Sequence, residues 1–142
     1  MLVDSNILVY SINRRSAKHV AAKNFFQSKA GDLKIAHQNI FETLRILTHP
    51  KFPFPMKINE ALKAIDNILK SCQVVSPNEK TYYITFLLIR ENRVKSDQIF
   101  DAYLAATALS NGIDTIATDN IRDFKKFKEI NLINPFLQTT HN

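Results

Sequence analysis

Short apolar runs alternate along the chain with longer segments that carry apolar residues at every third or fourth position. The short runs predict β-strands, and the longer segments predict amphipathic α-helices. Strands that alternate with helices are typical of a parallel sheet covered on both faces, so we predict an α/β fold with about four or five parallel strands. The predicted strands are Met1 to Val3, Leu33 to Ala36, Gln73 to Val75, Asp114 to Thr118 and Ile130 to Ile133.

Capping residues, prolines and glycines mark the ends of the predicted helices. Three prolines exclude regular structure between Thr48 and Met56. Helices are expected from Ser16 to Lys29, Asn39 to Leu47, Ile58 to Ser71, Asn78 to Asn92 and from a cap at Ser96 or Asp97 to Asn111, with mixed periodicity over Ile7 to Ile12 and a short helical turn over Asp123 to Lys128.

The length of 142 residues and the apolar fraction of 45% fit one globular domain that covers residues 1–142. The two glycines, Gly31 and Gly112, cannot form a Walker loop or a dinucleotide-binding turn, which excludes ATP-driven and Rossmann-type NAD chemistry. The single cysteine, Cys72, cannot form an internal disulfide. The sequence contains no recognisable targeting segment or membrane span, so we expect a soluble, cytoplasmic protein without membrane partners.

Nineteen Lys and Arg residues against thirteen Asp and Glu residues give a net charge of +6. This surplus favours a polyanionic partner such as nucleic acid, although an ordinary solvated basic surface would have the same composition. The candidates for phosphate contacts are Arg14, Arg15, Arg45, Arg122, Lys125 and Lys126.

Acidic residues follow or adjoin the carboxyl ends of several predicted strands. Asp4 directly follows the first strand, Asp119 directly follows a later one, and Glu42 lies early in a helix entered from a strand. Asp101 lies one helical turn after Asp97, which puts both carboxylates on one helix face. Because parallel strands end at the same edge of a sheet, these acids are expected to meet there.

Carboxylates without Cys or patterned His ligands suit hard divalent cations such as Mg²⁺ or Mn²⁺. Two such ions, about 3.5 to 4 Å apart, can activate a water and stabilise the leaving oxygen of a phosphodiester. Asp101 supports this interpretation, because its apolar neighbours Phe100 and Ala102 suggest packed surroundings in which a carboxylate needs a partner. The histidines lack the spacing that is typical of metal ligands; they are His19, His37, His49 and His141.

Each acid also has a structural explanation. Asp4, Asp97 or Asp119 could cap a helix, and the capping role is the favoured one for Asp97. Glu42 could pair with Arg45 at i, i+3 spacing, or Arg45 could contact a substrate phosphate.

The aromatic residues are mostly at helical core spacing. We interpret Phe25, Phe41, Phe86 and Phe100 as packing residues rather than base-stacking platforms. The apolar content of residues 58–92 exceeds what a small sheet needs to cover, which favours a homodimer without establishing it.

Four segments together resemble a known family. They are Leu2 to Tyr10, Glu42 to Thr48, Ile99 to Ala106, and Ala117 to Asn120 with Arg122-Asp123-Phe124. In order and spacing they resemble the PIN-domain ribonucleases of the VapC toxin type, and the likeness extends to Asn134-Pro135-Phe136. The resemblance implies a compact α/β fold with a parallel sheet, RNA hydrolysis that depends on a divalent metal and leaves 5′-phosphate ends, and a small antitoxin protein as partner.

The resemblance places Asp4, Glu42 and Asp101 on the family's first three acidic positions. The fourth position is ambiguous, because Asn120 stands at the usual offset and Asp119 stands one residue earlier. We predict that Asp119 is the fourth metal ligand and that Asp123 assists it.

Several polar residues near these acids are candidates for orienting them. Ser5 and Thr118 could direct a ligand or a water through their hydroxyls, and Asn6 could hydrogen-bond in the same shell. Turn and capping chemistry is the alternative for Ser5 and Asn6. Asp97 and Asn120 are included as further supporting residues.

The leading hypothesis is therefore an endoribonuclease that uses Mg²⁺ or Mn²⁺ and acts as the toxin of a toxin-antitoxin pair. A haloacid-dehalogenase-like phosphatase is disfavoured, because its proton donor would be an acid where this chain has Asn6. A non-catalytic RNA-binding or scaffold module with a PIN-like fold remains the alternative.

Overall fold

The computed structural model describes residues 1–137, in which five strands form one parallel sheet in the order β3-β2-β1-β4-β5. The predicted fold class is confirmed, whereas the predicted domain end at residue 142 and His141 lie outside the described residues. The elements are β1 (Leu2–Val3), α1 (Ser5–Ile12), α2 (His19–Ser28), β2 (Lys34–Ala36), α3 (His37–Thr48), α4 (Ile58–Leu69), β3 (Gln73–Val75), α5 (Thr81–Asn92), α6 (Gln98–Ser110), β4 (Thr115–Ala117), α7 (Ile121–Phe124) and β5 (Asn131–Ile133).

Strand β1 occupies the middle of the sheet and aligns the ends of its neighbours. Leu2 pairs with Lys34 of β2 and with Ile116 of β4. The Asp4 backbone N–H continues this alignment by donating to the Ala117 carbonyl oxygen at 2.9 Å. As a result, α1, α3 and the segment after β4 all begin at the same edge of the sheet.

Alternation along the strands buries both faces of the sheet. Leu2 and Ile116 pack into a core with α5 and α6, whereas Val3 and Ala117 pack into a second core with α1 and α2. Among residues 1–137, no helix is long and apolar enough to cross a membrane.

Two helices begin later than the sequence suggested, because polar side chains form turns before them. Helix α2 begins at His19, and the Ser16 hydroxyl accepts a hydrogen bond from the Lys18 backbone N–H at 3.1 Å. Helix α5 begins at Thr81, whose hydroxyl accepts from the Asn78 backbone N–H at 2.8 Å. Asp97 is at the N-cap of α6, but its side chain makes no capping hydrogen bond, so the expected capping role is wrong.

The interpretation of the phenylalanines as core is correct for Phe25, which is 8% exposed, and wrong for the other three. Phe41, Phe86 and Phe100 are 66%, 57% and 60% exposed. Helical spacing identifies a common face, but it does not show whether that face meets the sheet or the solvent.

Candidate active site

Asp4 lies at the carboxyl end of β1, where it becomes the N-cap of α1. Its Oδ1 accepts a hydrogen bond from the Ser5 backbone N–H at 2.7 Å. Its Oδ2 accepts from the Thr118 hydroxyl at 2.7 Å and from the Asn6 amide at 3.3 Å. Burial raises the pKa of Asp4, although the hydrogen bonds from Thr118 and Ser5 oppose this effect.

Glu42 lies on α3, which starts directly after β2. The Ser5 hydroxyl donates to Glu42 Oε2 at 3.1 Å and so links this acid to the Asp4 segment. The Gln38 amide donates to Glu42 Oε1 at 2.9 Å and to the Phe100 carbonyl oxygen at 3.0 Å, which ties α3 to α6. Gln38 was missed in the sequence, although its i, i+4 spacing from Glu42 was a usable signal.

Asp101 lies in the first turn of α6 and is partly buried. Burial is the main cause that raises the pKa of Asp101 to about 6, and the negative charges of Asp123, Asp4 and Glu42 raise it further. Lys126 opposes them. Asp123, Asp4 and Glu42 therefore all lie near enough to Asp101 to oppose its ionisation.

The structure does not bring Asp119 into this group. The Asp119 Oδ2 accepts hydrogen bonds from the Lys18 ammonium and from the Tyr10 hydroxyl, and its Oδ1 accepts from the Asn134 amide at 3.3 Å. Burial works to raise the pKa of Asp119, but the hydrogen bonds from Lys18, Tyr10 and Asn134 outweigh it and the pKa is lowered. Asp4 and Glu42 also accept hydrogen bonds on both oxygens. What distinguishes Asp119 is that its negative charge is paired with the Lys18 ammonium.

Asp123, which the sequence predicted to assist Asp119, lies near enough to Asp101 for its charge to act on that acid. It lies in α7, and the Asn120 amide donates to its Oδ2. The Asn120 backbone N–H in turn donates to the Thr118 hydroxyl at 3.0 Å. Thr118 and Asn120 thus connect Asp4 to Asp123 through hydrogen bonds.

Glu42 and Asp101 face an open groove of about 730 Å³. Its walls also include the predicted supporting residue Asp97 and the predicted phosphate contact Arg45. Glu42 and Arg45 do not form an ion pair, since the ion pair found among residues 1–137 joins Lys18 to Asp119. The groove is lined by Gln38, Phe41, Glu42, Arg45, Asp97, Phe100 and Asp101.

The other predicted phosphate contacts divide into two groups. Lys126 lies beside the acids, because it interacts with Asp101 and its ammonium donates to Gln98 Oε1 at 2.9 Å. Arg122 and Lys125 are exposed within or directly after α7. Arg14 and Arg15, by contrast, line a separate cavity beyond the far end of α1.

The chemistry of the donor set fits a hard divalent cation, because it consists of carboxylate oxygens whose charges repel one another. Within residues 1–137, however, no three His, Cys, Asp or Glu side chains stand close enough to form a ready-made metal centre. A cation at this edge would therefore have to draw the carboxylates closer together.

Comparison with known proteins identifies the family. The sequence model of the PIN domain matches residues 1–130. The chain belongs to the PIN domain family. This confirms the resemblance predicted from the sequence.

Curated relatives of this PIN domain carry the VapC name. This chain is 29% identical over 129 residues to Ribonuclease VapC24 of Mycobacterium tuberculosis, and the alignment covers 88% of this chain and 89% of that protein. It is 25% identical over 147 residues to Ribonuclease VapC43 of the same species, with 99% of each chain covered.

Solved structures agree with the fold. VapBC2 from Rickettsia felis, bound to a DNA fragment from its promoter, superposes with a TM-score of 0.72 at 20% identity and covers 94% of this chain and 96% of that one. The sarcin-ricin-loop-cleaving toxin VapC20 of M. tuberculosis superposes with a TM-score of 0.64 at 20% identity, covering 84% and 89% of the two chains.

Proposed function

We propose that this PIN domain is an endoribonuclease that hydrolyses RNA phosphodiesters with a divalent cation and acts as the toxin of a toxin-antitoxin pair. The observation that carries the proposal is that contacts at one sheet edge connect the acids. Ser5 links Asp4 to Glu42, Thr118 and Asn120 link Asp4 to Asp123, and Glu42 and Asp101 line one groove. The ribonuclease names of the curated relatives support the same reaction.

Asp4, Glu42 and Asp101 would hold the cation, and Asp123 is the better fourth candidate because its charge acts on Asp101, whereas the charge of Asp119 is paired with Lys18. When bound, Mg²⁺ or Mn²⁺ would lower the pKa of a water and offset negative charge on the phosphodiester. The oxygen donors do not distinguish between these two ions.

The chain's own polar residues fix the direction of the acids. Thr118 and Ser5 donate to Asp4, while Ser5 and Gln38 donate to separate oxygens of Glu42. These hydrogen bonds restrict rotation of the Asp4 and Glu42 side chains and so fix the direction of their carboxylates. Asn6 also donates a hydrogen bond to Asp4, but its amide cannot release a proton as the acid of a haloacid-dehalogenase-like phosphatase would.

Cationic side chains at the groove would bind the RNA backbone. Arg45 lies in its wall next to Glu42, and Lys126 lies near Asp101. Their positive charges would offset the repulsion between the acidic site and an incoming phosphate. Arg122 and Lys125 extend the exposed basic surface beside α7.

A protein antitoxin is the proposed partner, since related folds include VapBC2 and a toxin-antitoxin complex from Klebsiella pneumoniae. We also propose a homodimer. Its interface would use the exposed aromatic residues of α5, because a cluster of exposed rings is typical of an interaction surface. These residues are Tyr82, Tyr83 and Phe86, and the ring centres of Tyr82 and Phe86 lie 5.9 Å apart. The RNA substrate and the single cysteine favour action in the cytoplasm.

The function is tested by incubating the purified protein with a 5′-labelled RNA and Mg²⁺ or Mn²⁺. We expect internal cleavage with 5′-phosphate product ends, loss of cleavage in EDTA, and loss in Asp4→Asn and Asp101→Asn. Asp66→Asn, an exposed change on α4, is the matched control. RNA binding without cleavage by the wild type would instead support a non-catalytic RNA-binding module, and equal cleavage by all variants would reject the proposed site.

A further inference from the structure

A second cavity, also about 730 Å³, opens at the end of α1 opposite to the acids. Asp4 caps one end of this eight-residue helix, while Ser11, Ile12 and Asn13 at the other end line the cavity. The helix rises about 1.5 Å per residue, so the acids and the cavity are separated by roughly 12 Å along its axis. The cavity shares no lining residue with the groove that holds Glu42 and Asp101.

The charged residues of the cavity are predominantly cationic, whereas part of its lining is apolar and comprises Ile12, Leu47, Phe52, Met56, Ala64 and Ile68. Arg14, Arg15 and Lys23 line it, and Glu60 is the one carboxylate among its lining residues. All three cationic residues are exposed, so their charged groups are available to a ligand from solvent. This excess of positive charge favours an anionic ligand.

An exposed aromatic ring is held at the rim of the cavity. Phe54 lies between Pro53 and Pro55, has a positive φ of 61° and is 62% exposed. The Arg15 guanidinium carbon lies 3.4 Å from the centre of the Phe54 ring, so the two planar groups form a stacked pair. The ring is fixed away from the core by a rigid segment, and it presents an open π surface beside the cations.

We propose that this cavity binds a nucleotide of the single-stranded RNA substrate outside the bond that is cleaved. Arg14 and Lys23 bind backbone phosphate, and the base stacks on the Arg15–Phe54 pair. The inference rests on the proposed function and deepens it, because it extends the RNA path from the acidic groove along α1.

The stacked pair favours RNA over an acidic peptide. A nucleotide combines a planar base with an adjacent phosphate, so it can use both the π surface and the neighbouring cations. A peptide that carries only acidic side chains, such as polyglutamate, would use the cations alone and would leave the exposed Phe54 ring without a planar partner.

Binding of a fluorescently labelled twelve-nucleotide oligouridylate, measured by anisotropy in EDTA, tests the cavity without cleavage. Phe54→Leu should raise the dissociation constant about tenfold, whereas Phe54→Trp should keep it near the wild-type value. Arg14→Gln and Lys23→Gln should each lower the salt dependence of binding by about 0.7 in the log-log slope. Lys63→Gln, an exposed change on α4 that does not line the cavity, should leave the slope unchanged.

Cleavage assays separate this inference from the proposed function. With Mg²⁺ or Mn²⁺, Phe54→Leu should raise KM for the oligouridylate while KM for a dinucleotide stays at the wild-type value. Wild-type cleavage together with unchanged binding by Phe54→Leu and Arg15→Gln would overturn the cavity assignment alone. Absence of wild-type cleavage would reject the proposed function, even if these variants lost RNA binding. If Phe54→Leu and Arg15→Gln bind RNA as the wild type does but no longer bind labelled polyglutamate, the cavity is a peptide site and the proposal is overturned.

Discussion

Lys18 and Asp119 form an ion pair between the segment that leads into α2 and the carboxyl end of β4, 101 residues apart in the chain. Tyr10 donates to the same Asp119 oxygen at 3.0 Å. The Asp119 backbone N–H donates to Asn6 Oδ1 at 3.3 Å, and Asn6 donates in turn to Asp4. Asp119 therefore joins the α1–α2 segment to the site without facing the other acids.

This arrangement predicts different effects for Asp119→Asn and Asp123→Asn. Asp123→Asn should lower RNA turnover by roughly tenfold or more, because one of the mutually repelling carboxylates that favour a cation is removed. Asp119→Asn should lower the free energy of unfolding by about 1 kcal/mol, since the Lys18 partner is 41% exposed and solvent screens the pair. Steady-state kinetics and thermal denaturation measure the two effects.

Lys18→Met provides a matched test of the ion pair, because it removes the same contact from the other side. It should reproduce most of the stability loss of Asp119→Asn. Greater loss of turnover in Asp119→Asn than in Asp123→Asn would restore Asp119 as the fourth metal ligand.

The raised pKa of Asp101 predicts that the metal-free protein becomes more stable when this charge is removed. The folded-state pKa of about 6 exceeds the ordinary aspartate value of 3.8, so ionised Asp101 lowers the free energy of unfolding above pH 6 and does not do so below pH 3.8. In EDTA at pH 7.5, Asp101→Asn should raise this free energy by about 1 kcal/mol, a value reduced for solvent screening because the side chain is only partly buried.

Denaturant unfolding across this pH range measures the difference between Asp101→Asn and the wild type. The gain should shrink as the pH falls from 6 to 4, whereas Asp66→Asn should give no comparable trend. A gain that persists unchanged at pH 4 would show that the stabilisation does not arise from ionisation of Asp101.

The hydroxyl of Thr118 is predicted to stabilise both the fold and the acid that it contacts. Thr118→Val keeps the shape of the side chain but removes the donor to Asp4 Oδ2, a buried contact of 2.7 Å. We expect a loss of roughly 1 to 2 kcal/mol in the free energy of unfolding and lower RNA turnover. Thr118→Ser, which retains the hydroxyl, should recover turnover in the same kinetic assay; failure to recover it would rule out the hydroxyl as the cause.

The exposed aromatic residues of α5 predict self-association. Tyr82→Arg and Phe86→Arg should shift the protein from dimer to monomer in sedimentation velocity, because a buried unpaired charge opposes association. Val20→Arg, on the exposed side of α2 and 67% exposed in the wild type, is the control. Monomeric wild-type protein at micromolar concentration would contradict the homodimer.

The placement of Asp4 and Glu42 at one edge followed from the sequence, since each lies at or soon after the carboxyl end of a parallel strand. Asp101 lies on a helix that follows another helix, so its expected place beside them came from the family resemblance. The orientation of Asp119 did not follow, because it depends on Lys18, Tyr10 and Asn134, which are distant in the chain and carry no local pattern. In the same way, the sequence does not show what covers a helix face, because this also depends on contacts between distant segments.

Hydrophobic spacing groups Phe86 with its helix neighbours, but whether the sheet or a second molecule covers that face depends on how the helices pack. The exposure of Phe54 likewise depends on its positive φ between two prolines, which the sequence marks only as an irregular segment.

Calorimetric titration of Mn²⁺ into the metal-free protein tests the central claim most directly, because it measures cation binding apart from RNA chemistry. The wild type should bind the ion and release heat or protons on saturation, and Asp4→Asn and Asp101→Asn should bind it at least about tenfold more weakly. Asp66→Asn should match the wild type. Equal affinity in all four proteins, or no binding to the wild type, would contradict the assignment of these carboxylates as a metal site.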